Sequence, residues 1–269
     1  MTLLTRILNL SLLPLMLSLS AARVHAQPAV TFYEKSEAVP ANAKKLKTIT
    51  LTGINPDRSC SGYELKLDAR DSALSIGANL IKTESQRERS REAPCDEITF
   101  SFYRVDDLRP AERRFGWSAA RPLAWADFKG SVPADAGALT VAETSCGIGV
   151  ETSTVTSANT PKVYVFNTFQ TYTSWVRAAD STADVLEHEQ CHWDICELYT
   201  RKMRQRFAVA SINVSNLQRV VSKIFNETQR EYGARQQRYE NETRHGTIRE
   251  QQTRWTQMIA DELAALKNI

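Results

Sequence analysis

Two of the chain's four histidines stand four residues apart with a carboxylate between them, in the run Glu187-His188-Glu189-Gln190-Cys191-His192. At about 3.6 residues per turn, an α-helix stacks His188 and His192 on one face, where their imidazoles can share one Zn²⁺. Glu189 lies about 100° round the same helix, within reach of a water at the metal. These are the parts of a metal-assisted peptide hydrolase, with His188 and His192 as ligands and Glu189 as general base.

That chemistry needs an intact helix, and the flanking residues supply one. Asp180-Ser181-Thr182-Ala183-Asp184 offers an N-cap and early acids, and Val185, Leu186, Ile195, Leu198 and Met203 follow at helical spacing. The pattern predicts a helix from about Thr182 to Phe207. A break follows over 210–216, with Ser215 expected as the next N-cap. From Leu217 the residues Val220, Val221, Ile224, Phe225, Tyr232 and Tyr239 mark a second long helix.

A catalytic zinc takes three protein ligands and keeps one position open. His25 falls in a segment expected to be removed, so His245 is the one histidine left to serve as third ligand. Asp194, Glu197, Glu240 and Glu242 compete with it. Glu197, about 180° from His188 on the helix, points away, and Asp194 is also off that face. The outbound helix covers roughly 28 Å from His188 to its end at about 1.5 Å per residue. An antiparallel return brings residues 236–245 to the level of the motif, and with them Glu240, Glu242 and His245. His245 is the expected ligand, with a neighbouring glutamate as the alternative. Tyr239, close to it in sequence, is assigned to the oxyanion.

Four separated elements carry a resemblance. They are Leu123-Ala124-Trp125-Ala126-Asp127-Phe128-Lys129-Gly130, then Phe169 to Val176, then Leu186 to Glu197, and last Tyr239-x-x-Glu242-Thr243-x-His245-Gly246 with Gln252-x-x-Trp255. In that order, over roughly residues 115 to 266, the chain resembles a family of predicted secreted bacterial zinc-dependent proteases, itself a domain of unknown function. Trp193 stands where that family more often has Phe. The resemblance implies a zincin-like catalytic domain and names no substrate.

The N-terminus reads as a signal peptide over residues 1–26: Arg6, an apolar run from Ile7 to Leu19, and small residues around Ala26. No other stretch approaches the roughly 18 apolar residues of a membrane span, so none is expected in the mature chain. The expected location is periplasmic or secreted. Losing Arg6 and Arg23 lowers the formal charge from +3 to +1. A near-neutral chain gives no case for nucleic acid, and the expected partner is a peptide or protein substrate.

All five cysteines lie beyond residue 26, where export makes disulfides the default. Cys60 and Cys95 are expected to pair. Cys191 and Cys196 stand about 7.5 Å apart in rise alone on one helix, too far for a bridge. Cys146 is then expected to pair with one of them.

The expected fold is α+β. Residues 27–110 form a small β-rich module with strands near 47–53, 63–70, 74–81 and 97–104. Residues 111–269 form a zincin-like metallopeptidase domain, with strands near 139–143, 147–156 and 162–169, the long motif helix and packed C-terminal helices. The last of these presents Trp255, Met258, Ile259, Leu263 and Leu266 on one side. Val163–Phe169 or the segment around Trp175 is expected to be an edge that pairs with substrate. The alternatives are a non-catalytic, zinc-stabilised envelope binding protein and a zinc amidase acting on cell-wall peptides.

Overall fold

The computed structural model describes residues 30–53, 61–88, 90, 93, 95–138, 140–155 and 160–266. It is a mixed α+β fold with several small sheets and four α-helices.

The N-terminal part packs one helix on one sheet. Strands β1 (Thr31–Tyr33), β2 (Lys44–Thr52), β3 (Leu80–Arg87) and β4 (Glu97–Arg104) lie in the order β1-β3-β4-β2. The β1–β3 pair is parallel and the others are antiparallel. Where sequence reading expected a strand at 63–70, the structure has helix α1 (Gly62–Ser75). The Ser61 side chain caps it, accepting from the Glu64 amide, and Leu65, Ala69 and Ala73 recur at four-residue spacing on its buried face. That face meets Ile81, Ile98, Phe100 and Phe102 of the sheet. The expected strand at 74–81 begins only at Leu80, after the helix ends.

The second part is built on strands β5 (Arg114–Phe115), β7 (Cys146–Val155) and β8 (Thr160–Gln170), antiparallel in the order β5-β8-β7. A two-residue ribbon joins β6 (Ala142–Glu143) to β9 (Trp175–Val176). Strand β8 pairs with β7 over Thr160–Phe169 and with β5 only at Phe169 and Gln170. Trp175 is buried at 3% exposure and donates its indole N–H to Glu143. The Trp175 segment is thus spent on internal structure, whereas residues 163–168 of β8 pair with a strand on one side only among the described residues, so the expected edge there stays open.

Three helices complete this part: α2 (Ala183–Val209), α3 (Leu217–Thr243) and α4 (Arg249–Ala265). Thr182 caps α2 by accepting from Val185 N. Contacts pair residue 206 with 228 and 231, and residue 192 with 236, so α3 runs antiparallel to α2. Contacts of 188 with 252 and 202 with 262 set α4 parallel to α2. The core between helices and sheet is aromatic, with Phe169, Trp193, Tyr239 and Trp255 each at most 1% exposed. Burial of four such rings supplies much of the stabilisation, at about 25 cal/mol per Å² of apolar area. Among the described residues, no helix is long and apolar enough to cross a membrane.

Candidate metal centre

The open end of the α2–α3 hairpin gathers the chemistry. His188 Nε2 and His192 Nε2 lie 3.1 Å apart, and their ring planes are nearly perpendicular. The helical spacing delivers both nitrogens to one point. From α3, Glu240 brings Oε1 to 2.8 Å from His192 Nε2 and Oε2 to 3.6 Å from His188 Nε2. Within these limits the three side chains form a group able to hold a metal ion, with donor atoms all within 4.8 Å.

Two details test whether a cation fits. Glu189 Oε2 is buried without a hydrogen bond, while Glu240 Oε2 faces only histidine nitrogens, His245 Nδ1 at 2.7 Å and His188 Nε2 at 3.6 Å. Buried carboxylate oxygens left unpaired are costly unless a cation or a bound polar group satisfies them. In addition, both imidazoles turn Nδ1 toward a glutamine oxygen: His192 to Gln236 Oε1 at 2.7 Å, His188 to Gln252 Oε1 at 3.1 Å. That outward anchoring is the usual arrangement of metal-bound histidine. Two nitrogens and one carboxylate suit zinc or another borderline divalent ion.

Without a cation, a proton takes its place. Burial works to lower the pKa of His192, but the Glu240 hydrogen bond and the charges of Glu189 and Glu240 outweigh it and push it up to about 9. Burial likewise tends to raise Glu240, yet hydrogen bonds and charge from the two histidines hold it far below the usual carboxylate range.

His245 is not among the three grouped ligands. It follows the end of α3, where Arg244, His245 and Gly246 take positive φ values of 48°, 55° and 77° in succession. Its side chain is 78% exposed, and Nδ1 stands 2.7 Å from Glu240 Oε2. The carboxylate that sequence reading weighed as the alternative thus holds the position expected of His245, and His245 backs it from outside. Such runs of left-handed residues cost energy and persist where surrounding contacts impose them. Here the contact is Gly246 against the His188 ring.

Tyr239, expected at the oxyanion, lies behind His188. Its ring stacks on the imidazole at 4.8 Å, and its hydroxyl meets His188 Nδ1, His188 O and Gln252 Oε1 at 2.8, 3.1 and 2.7 Å. It is fully buried on the side opposite Nε2, so the oxyanion assignment is withdrawn.

The back of α2 is structural, as its geometry implied. Asp194 accepts from the Trp117 indole and from Gln190, and Gln190 in turn accepts from Leu123 N. Glu197 is held by Asn167 and Arg201. The Trp125–Gly130 element docks beside them. Asp127 is fully buried with Arg109 and Arg121, and Gly130 donates to Ser174 O, where a Cβ would come within 2.9 Å of two carbonyl oxygens.

Cys95 is disulfide-bonded, and its expected partner Cys60 lies outside the described residues. Cys146, Cys191 and Cys196 are free thiols, contrary to the expected second bridge. The Cys146 thiol is instead hydrogen-bonded to that of Cys196 and to Tyr232. Cys191 is no ligand, being buried beside Tyr239 with its thiol pushed up to about 12 by burial.

Sequence reading missed Gln236, and it met Gln252 only as part of the resemblance, with no role assigned. Gln236 precedes Glu240 by one helical turn, a spacing that places an acceptor beside any ligand at 240. No curated protein and no solved structure matches the chain. Residues 119–246, from the Trp125–Gly130 element through both motif histidines to the glycine beneath His188, match a bacterial family described only as a protein of unknown function, DUF922.

Proposed function

We propose that the protein is an exported, zinc-dependent peptidase with a zincin-like catalytic domain, and that His188, His192 and Glu240 hold the metal. The observation that carries this reading is Glu189. Its carboxylate is 4% exposed, one position from a ligand, and its Oε2 has no hydrogen bond. A glutamate kept buried and unpaired there contributes nothing evident to folding, whereas a general base needs a free oxygen.

Bound zinc supplies Lewis acidity, polarising a peptide carbonyl and making water a better nucleophile. The chain's own groups do the rest. Glu189 Oε2 takes a proton from the attacking water and delivers it to the leaving amine nitrogen. His188 and His192 present Nε2 as ligands, while Glu240 adds one negative charge and is backed by His245. The signal peptide assigned to residues 1–26 falls outside the described residues, and export rests on the sequence pattern.

Glu189→Gln tests the reading. The variant keeps fold and zinc, and loses about 10²–10⁴-fold in peptide hydrolysis, because an amide cannot accept the proton. Equal behaviour of wild type and variant against peptide libraries and cell-wall peptides, with zinc bound to both, would instead support a structural metal in an envelope binding protein.

A further inference from the structure

Both ligand histidines are anchored by neutral amides, one from α3 and one from α4. Gln236 Nε2 lies 3.1 Å from His192 O and 3.1 Å from Tyr232 Oη. A backbone carbonyl can only accept, so this atom must be the amide nitrogen and the atom 2.7 Å from His192 Nδ1 must be the oxygen. An amide oxygen can only accept in its turn, and Nδ1 must therefore carry a proton. The second anchor rests instead on the bond from the Tyr239 hydroxyl, because Tyr239 and Thr256 can each donate or accept. Gln252, 1% exposed, receives the Tyr239 hydroxyl on Oε1, and His188 Nδ1 faces that oxygen and the phenol oxygen together. The Gln252 nitrogen is turned outward to Thr256.

The geometry points to Gln236 and Gln252 as paired positioning residues, each accepting the Nδ1 proton of one histidine so that both imidazoles offer a bare Nε2 to the same cation. The two differ in origin. Gln236 lies inside the segment matched by the bacterial family, while Gln252 lies beyond its end at residue 246. Helix α4 is therefore part of the metal centre, through a residue that touches neither metal nor substrate. Neither anchor is charged. Glu240 and Glu189 then carry the negative charge of the centre, which equals that of one divalent cation. A carboxylate at either glutamine position would shift this balance and raise the basicity of the imidazole it faces.

This inference rests on the metal-centre reading above, and the experiment separates the two. Zn²⁺ is titrated into metal-free protein against a competing chelator, for wild type, Gln236→Met, Gln252→Met, Gln236→Glu and Gln252→Glu. Long-range ¹⁵N–¹H spectra of the metal-free proteins, recorded above pH 9, report which ring nitrogen carries the proton. Each Met variant should lose about 10–100-fold in zinc affinity and release its histidine from the Nδ1–H form. Each Glu variant should keep that form and bind zinc at least as tightly as wild type. Met variants within twofold of wild type, with Nδ1 still protonated, would overturn the inference. Should a Met variant fail to fold, the Glu variant decides: weaker zinc binding or a bare Nδ1 refutes it. If wild type binds no zinc, the metal reading fails, while the ring-nitrogen spectra still decide the role of the glutamines.

Discussion

Gly246 lies flat against the ring of His188, so close that a Cβ on residue 246 would stand 3.0 Å from Cγ and Nδ1 of the imidazole. The turn that ends α3 is thus a floor for the first histidine of the motif, and its left-handed backbone at 77° leaves only glycine comfortable there.

Gly246→Ala should therefore harm the site more than the fold. The backbone change costs about 1–2 kcal/mol, and the displaced His188 adds a loss of zinc affinity. Gly77→Ala is the control, because Gly77 has nearly the same φ, at 73°, and nothing within 4 Å of a Cβ. Both variants should melt a few degrees lower, but only the residue 246 variant should bind zinc more weakly.

Glu240→Ala should abolish stoichiometric zinc binding, since it removes one of the three grouped ligands. His245→Ala should retain the metal with affinity reduced by about 10–100-fold, the usual cost of losing a group that backs a ligand. Chelator competition measures both. Full metal retention by Glu240→Ala together with loss in His245→Ala would reverse the assignment.

The contrast between residues 240 and 245 shows where sequence reasoning stopped. Rise per residue correctly brought 236–245 level with the motif, because helix length depends only on residue count. The choice within that window depended on which face of α3 turns inward and on where the helix ends. It ends at Thr243, so His245 sits past a reversal that no periodicity announces. The misread strand at 63–70 has a related cause. Tyr63, Leu65 and Leu67 alternate as a strand would, while the deciding signal was the single cap at Ser61 with Glu64 three residues on. The motif helix was legible because capping, apolar spacing and chemistry all agreed over 27 residues.

Zinc binding should strengthen with pH. In the metal-free protein His192 titrates at about 9, and a cation must displace that proton. Apparent affinity should rise about tenfold per pH unit from 6 to 9 and level off above. Stability of the metal-free protein runs the other way. A histidine whose folded pKa is raised contributes fully below its ordinary value of about 6.5, and that contribution is lost as pH rises through about 9. Glu240, depressed by the histidines, contributes above its ordinary value of about 4.3 and loses that contribution as pH falls further. Zinc titrations across pH 6–10 and thermal melts across pH 2–10 check both signs.

Among the free thiols, Cys146 should alkylate first in the folded protein. The hydrogen bond from Cys196 lowers its pKa against the effect of burial, and the same bond raises Cys196 well above the ordinary thiol range. Cys191, at 2% exposure and with its pKa raised, should react last. Peptide mapping after timed iodoacetamide exposure measures the order. Unreduced digests should show Cys95 joined to Cys60.

The side chains of the candidate metal centre come from residues 188, 189, 192, 236, 240 and 252, and α4 contributes the last of them. Chains are made from the N-terminus at about 5–20 residues per second, and upstream parts fold as they emerge. The sheet beneath α2 is thus complete in the growing chain before Glu240 exists, and Glu240 exists before His188 has the amide of Gln252. On the function proposed above, the site gains its full zinc affinity only once α4 has docked, after the rest of the hydrolase's own chain has had its chance to fold.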